Sequence, residues 1–121
     1  VGELFRARRN YVNAVYWIMI SFVETKLFTR LIGDLLGDDE YALLQQALIA
    51  DPEIGDVIPG SGGVRKVRWG AVGRGKRGGL RIIYFLRTIQ GQIWMLTVYP
   101  KYVTDSIPAH LLRQIKDEID G

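Results

Sequence analysis

From Leu80 to Tyr99 the chain carries two near-continuous apolar runs, "LRIIYFLR" and "QIWMLTVY", separated by "TIQG". Runs of this length, rich in β-branched and aromatic residues and interrupted at Gly91, predict two strands joined by a short hairpin. Strict alternation along the second strand puts Trp94, Leu96 and Val98 on one face and Thr97 and Tyr99 on the other. Just upstream, "VRKVRWG" alternates more openly, with Val67 and Trp69 facing one way and Lys66 and Arg68 the other. Three strands in a row fix the middle of the chain as a sheet, and the flanking segments have to be read around it.

Those flanks read mostly as helices. Leu27, Phe28, Leu31, Ile32 and Leu35 recur at helical spacing, and Gly37 is placed to end that helix at its C′ position. Asp38 is placed to cap a second helix, with Asp39 and Glu40 in the first turn, an apolar face of Tyr41, Leu44 and Leu48, and Pro52 as its stop. Two apolar stripes joined by a tight turn predict an α-hairpin packed on the sheet. "DPEIGDVIPGSGG" is a loop by its Pro and Gly content. A last helix begins near Ser106 and Pro108, with Leu111, Ile115 and Ile119 spaced four apart and His110 on its polar side with Arg113 and Asp117. Before the α-hairpin, "VYWIMISFV" from Val15 to Val23 reads as a buried strand. The expected order is β-α-α-β-β-β-α, an α+β fold with an antiparallel-rich sheet. With 121 residues and 48% apolar content, the chain is long enough for one domain with a modest core.

The N-terminus has two readings. Arg6, Arg8 and Arg9 before the apolar run give the outline of a secretory signal, but no small-residue cleavage site follows and the run is too short to span a bilayer. Met19 lies inside the run, so residues 1–17 are taken as an N-terminal extension of uncertain origin and residues 18–121 as the domain. The chain has no cysteine, which fits a reducing cytosol. The expectation is a cytoplasmic protein with no membrane partner.

Charge is sorted along the chain. Between Val57 and Thr104 lie nine basic residues and no acidic one: Arg65, Lys66, Arg68, Arg74, Lys76, Arg77, Arg81, Arg87 and Lys101. The rest holds 7 basic and 13 acidic residues, so a +9 block stands against −6 elsewhere. Such sorting points to a polyanionic partner. Within the block, "GAVGRGKRGGLR" mimics two nucleotide cradles, a P-loop and G-x-G-x-x-G. Neither fits. A P-loop needs Ser or Thr after its lysine, where this chain has Arg77, and both cradles need a helix directly after the glycines, where this chain runs into "LRIIYFLR". The glycines read instead as a wide hairpin whose Arg74, Lys76 and Arg77 are dressed for a phosphate backbone.

"DPEIGDVIPGSGGVRKVRW", "GRGKRGGLRIIYF" and "IWMLTVYPK", in this order, resemble the RelE/HigB-type toxins of bacterial toxin–antitoxin pairs, most closely the HigB-like branch. The resemblance covers roughly Ser21 to Asp120. It implies a small curved sheet with two N-terminal helices, and a ribosome-dependent endoribonuclease that enters the A site and cuts mRNA. The implied partners are the ribosome and a cognate antitoxin that usually carries a helix-turn-helix domain, with operator DNA touched only indirectly through that antitoxin. By position in the motifs, the cleaving surface maps to Lys66, Arg68, Arg81 and Tyr99, with Arg65, Arg74, Lys76, Arg77 and Lys101 as RNA-binding residues around it. After Tyr99 the family commonly reads A-K-N-x-K-x-D-L, whereas this chain reads "PKYVTDSI": Lys101 is kept, Tyr102 stands for the usual Asn and Thr104 for the usual Lys.

The chemistry suits these residue types. RNA cleaves itself by 2′-OH attack on the neighbouring phosphate when charge building on that phosphate is neutralised, and arginine forks do this bidentately while staying charged. A lysine crowded by like charge can lose its proton more easily and accept another. Tyr99 suits either proton handling or stacking on a splayed base. Arg81 has a structural alternative in pairing with Asp117 or Glu118, and Tyr99 in simply ending a strand. With one histidine, no cysteine and no carboxylate between Asp56 and Asp105, the basic block offers no ligand set for Mg²⁺ or Zn²⁺, so no metal and no cofactor is expected there. The alternative function is a non-catalytic RNA- or ribosome-binding module or a degenerate toxin.

Overall fold

The computed structural model describes residues 5–13, 18–70, 79–103 and 107–120. Six strands form one mixed sheet: β1 (Phe5–Asn13), β2 (Ile18–Thr25), β3 (Asp56–Val57), β4 (Arg65–Trp69), β5 (Leu80–Arg87) and β6 (Gln92–Pro100), in the spatial order β1-β2-β6-β5-β4-β3. Every neighbouring pair is antiparallel except β2 and β6, which run parallel from Ser21↔Gln92 to Glu24↔Met95. Three helices complete an α+β fold: α1 (Lys26–Leu35), α2 (Asp38–Ala50) and α3 (Ala109–Asp120).

The sheet is covered on both faces. Under α1 and α2 lies a core of Phe22, Phe28, Ile32, Tyr41, Leu44, Leu48, Ile82, Tyr84, Met95 and Val98. On the opposite face α3 brings Leu112 and Ile119 against Val23, Ile83, Trp94, Leu96 and Tyr99. This explains why β5 and β6 are apolar at nearly every position: they are the interior strands of a three-layer sandwich, apolar on both sides.

Several local expectations need correction. Strict alternation on β6 fails at a β-bulge: Thr97 pairs with Ile83 while Met95 pairs with Tyr84, leaving Leu96 as the extra residue. Past the bulge the faces exchange, so Val98 joins Ile93 and Met95 under the α-hairpin, while Tyr99 joins Trp94 and Leu96 on the α3 side. Gly37 does not end α1 in a left-handed conformation; at φ −71° it is the N-cap of α2, and Asp38 is the first helical residue rather than the cap. The Gly37 N–H donates instead to Glu40 Oε1 at 3.4 Å. On α3, Ile115 and Ile119 of the expected stripe do pack against the sheet, but Leu112 (0% exposed) takes the place expected for Leu111, which is 42% exposed. His110, Arg113 and Asp117 are exposed, as read. Of the strand expected at Val15–Val23, residues 15–17 lie outside the described residues and the rest falls in β2, from Ile18 to Thr25.

Two strands were not expected. β3 is a two-residue pairing of Asp56 and Val57 with Lys66 and Arg65, too short to give a pattern. β1 pairs along β2 from Phe5↔Thr25 to Asn13↔Ile18 with an irregularity at Ala7/Arg9. Its sequence, "FRARRNYVN", lacks the apolar alternation that announces a strand.

The loop from Ile58 to Val64 is closed by its own backbone and one serine. The Ile58 N–H donates to Val64 O at 2.8 Å. Ser61 Oγ donates to Ile58 O at 2.6 Å and accepts from Val64 N at 3.0 Å. Gly60, Gly62 and Gly63 all adopt positive φ, from 78 to 103°, which lets the loop turn back sharply beside α3, close to Ala109, Arg113 and Lys116.

Candidate nucleic-acid interface

Cross-strand register places four expected site residues on one face. Arg68 on β4 pairs with Arg81 on β5, and Arg81 pairs with Tyr99 on β6, so the three form one row across the sheet. One step along lies a second row, Lys66–Ile83–Thr97. Paired residues point to the same side of a sheet, and Ile83 and Tyr99 both belong to the α3-side core. Lys66, Arg68, Arg81 and Tyr99 therefore share the α3 face. The bulge at Leu96 is what brings Tyr99 there.

The first row is graded in burial. Arg68 is exposed, Arg81 is 4% exposed and Tyr99 is 7% exposed. Arg68 and Arg81 are register-paired, two like-charged residues directly opposite each other on β4 and β5. The Tyr99 hydroxyl is buried and has no hydrogen-bond partner among the described residues. Burial raises its pKa above 10.0, with the Arg81 charge pulling in the other direction. At neutral pH Tyr99 is accordingly a neutral phenol, a donor rather than a base.

Arg65 stands apart from this group. It pairs with Tyr84 on β5, and Tyr84 belongs to the core under the α-hairpin. Its guanidinium donates to Gly55 O at 2.7 Å and Glu53 O at 3.3 Å, and lies 3.6 Å from the Glu53 carboxylate. Beside it the Tyr84 hydroxyl donates to Pro52 O at 2.7 Å and accepts from Gly55 N at 2.9 Å. A Cβ on Gly55 would come within 2.8 Å of the Tyr84 ring, so glycine is what allows this approach. Arg65 holds the Asp51–Val57 segment in place, a role its position in the basic block did not reveal.

Arg74, Lys76 and Arg77 lie outside the described residues. The segment's two ends are placed: Gly70 follows β4 and Gly79 precedes β5, at the end of the sheet where the Trp69–Leu80–Pro100 row lies. Gly79 has φ +67°, and a Cβ there would meet Trp69 O at 2.5 Å, so the two arms of the loop are pinched together at their base. The glycine run leads into a strand, as expected, and not into a phosphate-facing helix. Lys101, also exposed, is tied to the same end by its backbone, which donates to Gly79 O at 3.3 Å. Arg87 pairs with Gln92 at the opposite end of the hairpin, away from this cluster.

Around the row, α3 closes part of the same face. Lys116 Nζ lies 5.5 Å from the Phe85 ring centroid and 3.6 Å from Asp117 Oδ1. Among the described residues no group of three or more His, Cys, Asp or Glu side chains gathers, and no helix is long and apolar enough to cross a membrane. Thr97 was noted in the sequence only as the companion of Tyr99; its place in the Lys66 row depends on a bulge that no residue pattern announces. No protein-family model matches the chain.

Proposed function

We propose that this chain is an mRNA-cleaving endoribonuclease of the RelE/HigB type, acting in the cytoplasm on ribosome-bound message and held in check by an antitoxin encoded beside it. What supports the reading is the Arg68–Arg81–Tyr99 row: two arginines at paired positions on β4 and β5, next to a buried phenol that lacks a partner among the described residues. A phosphate bound at this row would accept from both arginines. The sequence motifs support the same reading, Lys66 and Lys101 add positive charge on the described strands, and Arg74, Lys76 and Arg77 add to the basic block in the sequence.

The reaction is transesterification. The ribose 2′-oxygen bonds to the adjacent phosphorus, the bond from phosphorus to the 5′-oxygen breaks, the 2′-OH proton passes to water, and the leaving oxygen takes up a proton. Arg81 and Lys66, supported by Arg68, stabilise the extra negative charge on the phosphate. Tyr99, protonated at neutral pH, supplies the proton to the leaving oxygen and regains one from water. Orientation of the message comes from the ribosome.

A single-turnover assay on ribosomes programmed with a defined A-site codon tests this. Arg81→Ala and Tyr99→Phe should each slow cleavage about 10²-fold or more without loss of fold or ribosome binding. Products should end in 2′,3′-cyclic phosphate or 3′-phosphate; a 3′-hydroxyl would overturn the mechanism. The burial of Arg81 and of the Tyr99 hydroxyl favours a second reading, a non-catalytic RNA- or ribosome-binding module. Wild-type protein that binds programmed ribosomes and leaves the message intact would decide for that module.

A further inference from the structure

Two hydroxyls on the α3 face of β6 bond to nothing among the described residues. The Tyr99 hydroxyl is one. Thr97 carries the other: it is 6% exposed, and its side chain has no hydrogen-bond partner among the described residues. The remaining buried polar side chains are engaged. Glu24 accepts from Thr29 and Tyr41, Thr25 holds the Leu96 carbonyl, Ser61 closes its own loop, and Gln45 and Arg81 each interact within the protein. Thr97 stands out from this set.

Register fixes where that hydroxyl lies. Thr97 pairs with Ile83, and Ile83 with Lys66, so Thr97 shares the face of Lys66, Arg68 and Tyr99. It stands two residues, about 7 Å, along β6 from Tyr99. For the fold alone, valine would serve this position better, because a buried hydroxyl without a partner has given up its bonds to water. A ligand that bonds to it removes that cost. The neighbours indicate the ligand's chemistry: Lys66 and Arg68 on β4 supply charge for a phosphate, and a hydroxyl beside them, able to donate and accept, suits a sugar hydroxyl. In RNA the hydroxyl next to each phosphate is the 2′-OH, the group by which a protein tells RNA from DNA.

We infer that Thr97 is an RNA-specificity residue: its hydroxyl bonds the ribose 2′-OH of a nucleotide whose phosphate lies against the cations of β4, so that the site accepts ribose and disfavours deoxyribose. This rests on the RNA-binding reading above and needs no cleavage. It assigns Thr97 a part in recognition, separate from the charge and proton handling given to Lys66, Arg68, Arg81 and Tyr99. A deoxyribose in the same place leaves the hydroxyl unpartnered, which is how a site built around one hydroxyl rejects an analogue lacking it.

The test is fluorescence anisotropy with a labelled single-stranded RNA octamer and its 2′-deoxy counterpart carrying the same bases. The wild type should bind the RNA octamer about three- to tenfold more tightly than the deoxy octamer. Thr97→Val should lose that factor on RNA and leave the deoxy octamer's affinity unchanged. Thr97→Ser, which keeps the hydroxyl, should retain the wild-type ratio of the two affinities. Urea unfolding checks that each variant folds, and Thr97→Ala, read by the same ratio, takes the place of Thr97→Val if the latter does not fold. If the wild type binds both octamers equally, or if the hydroxyl-free variant keeps the wild-type ratio, the assignment of Thr97 is wrong and the RNA-binding reading stands. If the wild type binds neither octamer, both fall together.

Discussion

Two residues show how placement decides what a side chain contributes. Arg68 is exposed and register-paired with Arg81, and it adds nothing to the core. Arg68→Thr should raise stability by up to about 1 kcal/mol, because it removes a like-charge pair and adds a good strand former. The same change should weaken RNA binding, so denaturant unfolding and an anisotropy titration of one variant should move in opposite directions. Loss of stability would show that Arg68 is held in a favourable contact. Tyr84 is the converse, a phenol wholly committed to the fold. Burial raises its pKa above 10.0, partly offset by the bond it accepts from Gly55 N and by the Arg65 charge, while Asp51 and Glu53 add to the rise. A tyrosine with a raised folded pKa contributes stability that is fully present below pH 10 and lost as pH climbs through the folded value. Tyr84→Phe should cost about 1–3 kcal/mol at neutral pH, since Pro52 O and Gly55 N lose their partner. It should also make the loss of stability above pH 10 shallower, though not flat, because Tyr99 is raised in the same direction. Urea midpoints at pH 7 and across pH 9–11 measure both effects.

Among the elements, β6 is the one on which the site depends. Its bulge leaves the Leu96 carbonyl to be satisfied from outside the ladder, and Thr25 Oγ1 donates to it at 2.7 Å. The same oxygen accepts from Phe28 N at 2.9 Å, which makes Thr25 both the N-cap of α1 and the clip on the bulge. One residue earlier, the buried Glu24 carboxylate accepts from Thr29 Oγ1 and Tyr41 Oη, each at 2.6 Å, tying both helices of the hairpin to β2. Thr25→Val keeps the shape and removes both bonds; it should cost about 2 kcal/mol, and Thr25→Ser should recover most of it. Thermal unfolding of the two variants makes the comparison, and equal losses would mean that the methyl group matters rather than the hydroxyl. This arrangement also marks how far the sequence could be read. Helices and central strands were legible because Phe28, Ile32, Leu44, Ile82 and Met95 are periodic and deeply buried, so pattern and packing agree. The face carried by Val98 was misread because a bulge inserts one residue without changing composition. β1 and β3 were missed because one is polar and the other has two residues. At the site, Lys66 and Arg68 could be placed on one face from alternation alone. The addition of Arg81 and Tyr99 to that face depends on register, which sequence spacing does not contain, and the separation of Arg65 depends on a carbonyl cluster built by the Pro52–Gly55 turn.

At the scale of the molecule the governing fact is the division of charge, +9 between Val57 and Thr104 against −6 elsewhere. The fold does not scatter that block. β4, β5 and β6 are adjacent, so Lys66, Arg68 and Arg81 lie on neighbouring strands, and Gly70, Gly79 and Lys101 meet at one end of them. α1 and α2, which carry Asp34, Asp38, Asp39 and Glu40, cover the opposite face of the sheet. A molecule polarised in this way should bind a polyanion with one side only, and the strength of binding should report how many phosphates that side touches. For single-stranded RNA each phosphate contact contributes roughly −0.7 to the slope of log affinity against log salt. If Arg74, Lys76 and Arg77 each hold a phosphate, replacing all three with Ala should flatten the slope by about 2, with affinity falling most at low salt, where screening is weakest. Replacing Arg113 and Lys116, cations of similar number on α3 but outside the block, should leave the slope nearly unchanged. Octamer titrations at four or five salt concentrations give both slopes. Equal flattening by the two sets would mean that RNA responds only to total charge, and an unchanged slope for the loop variant would move the contact surface off that end of the sheet.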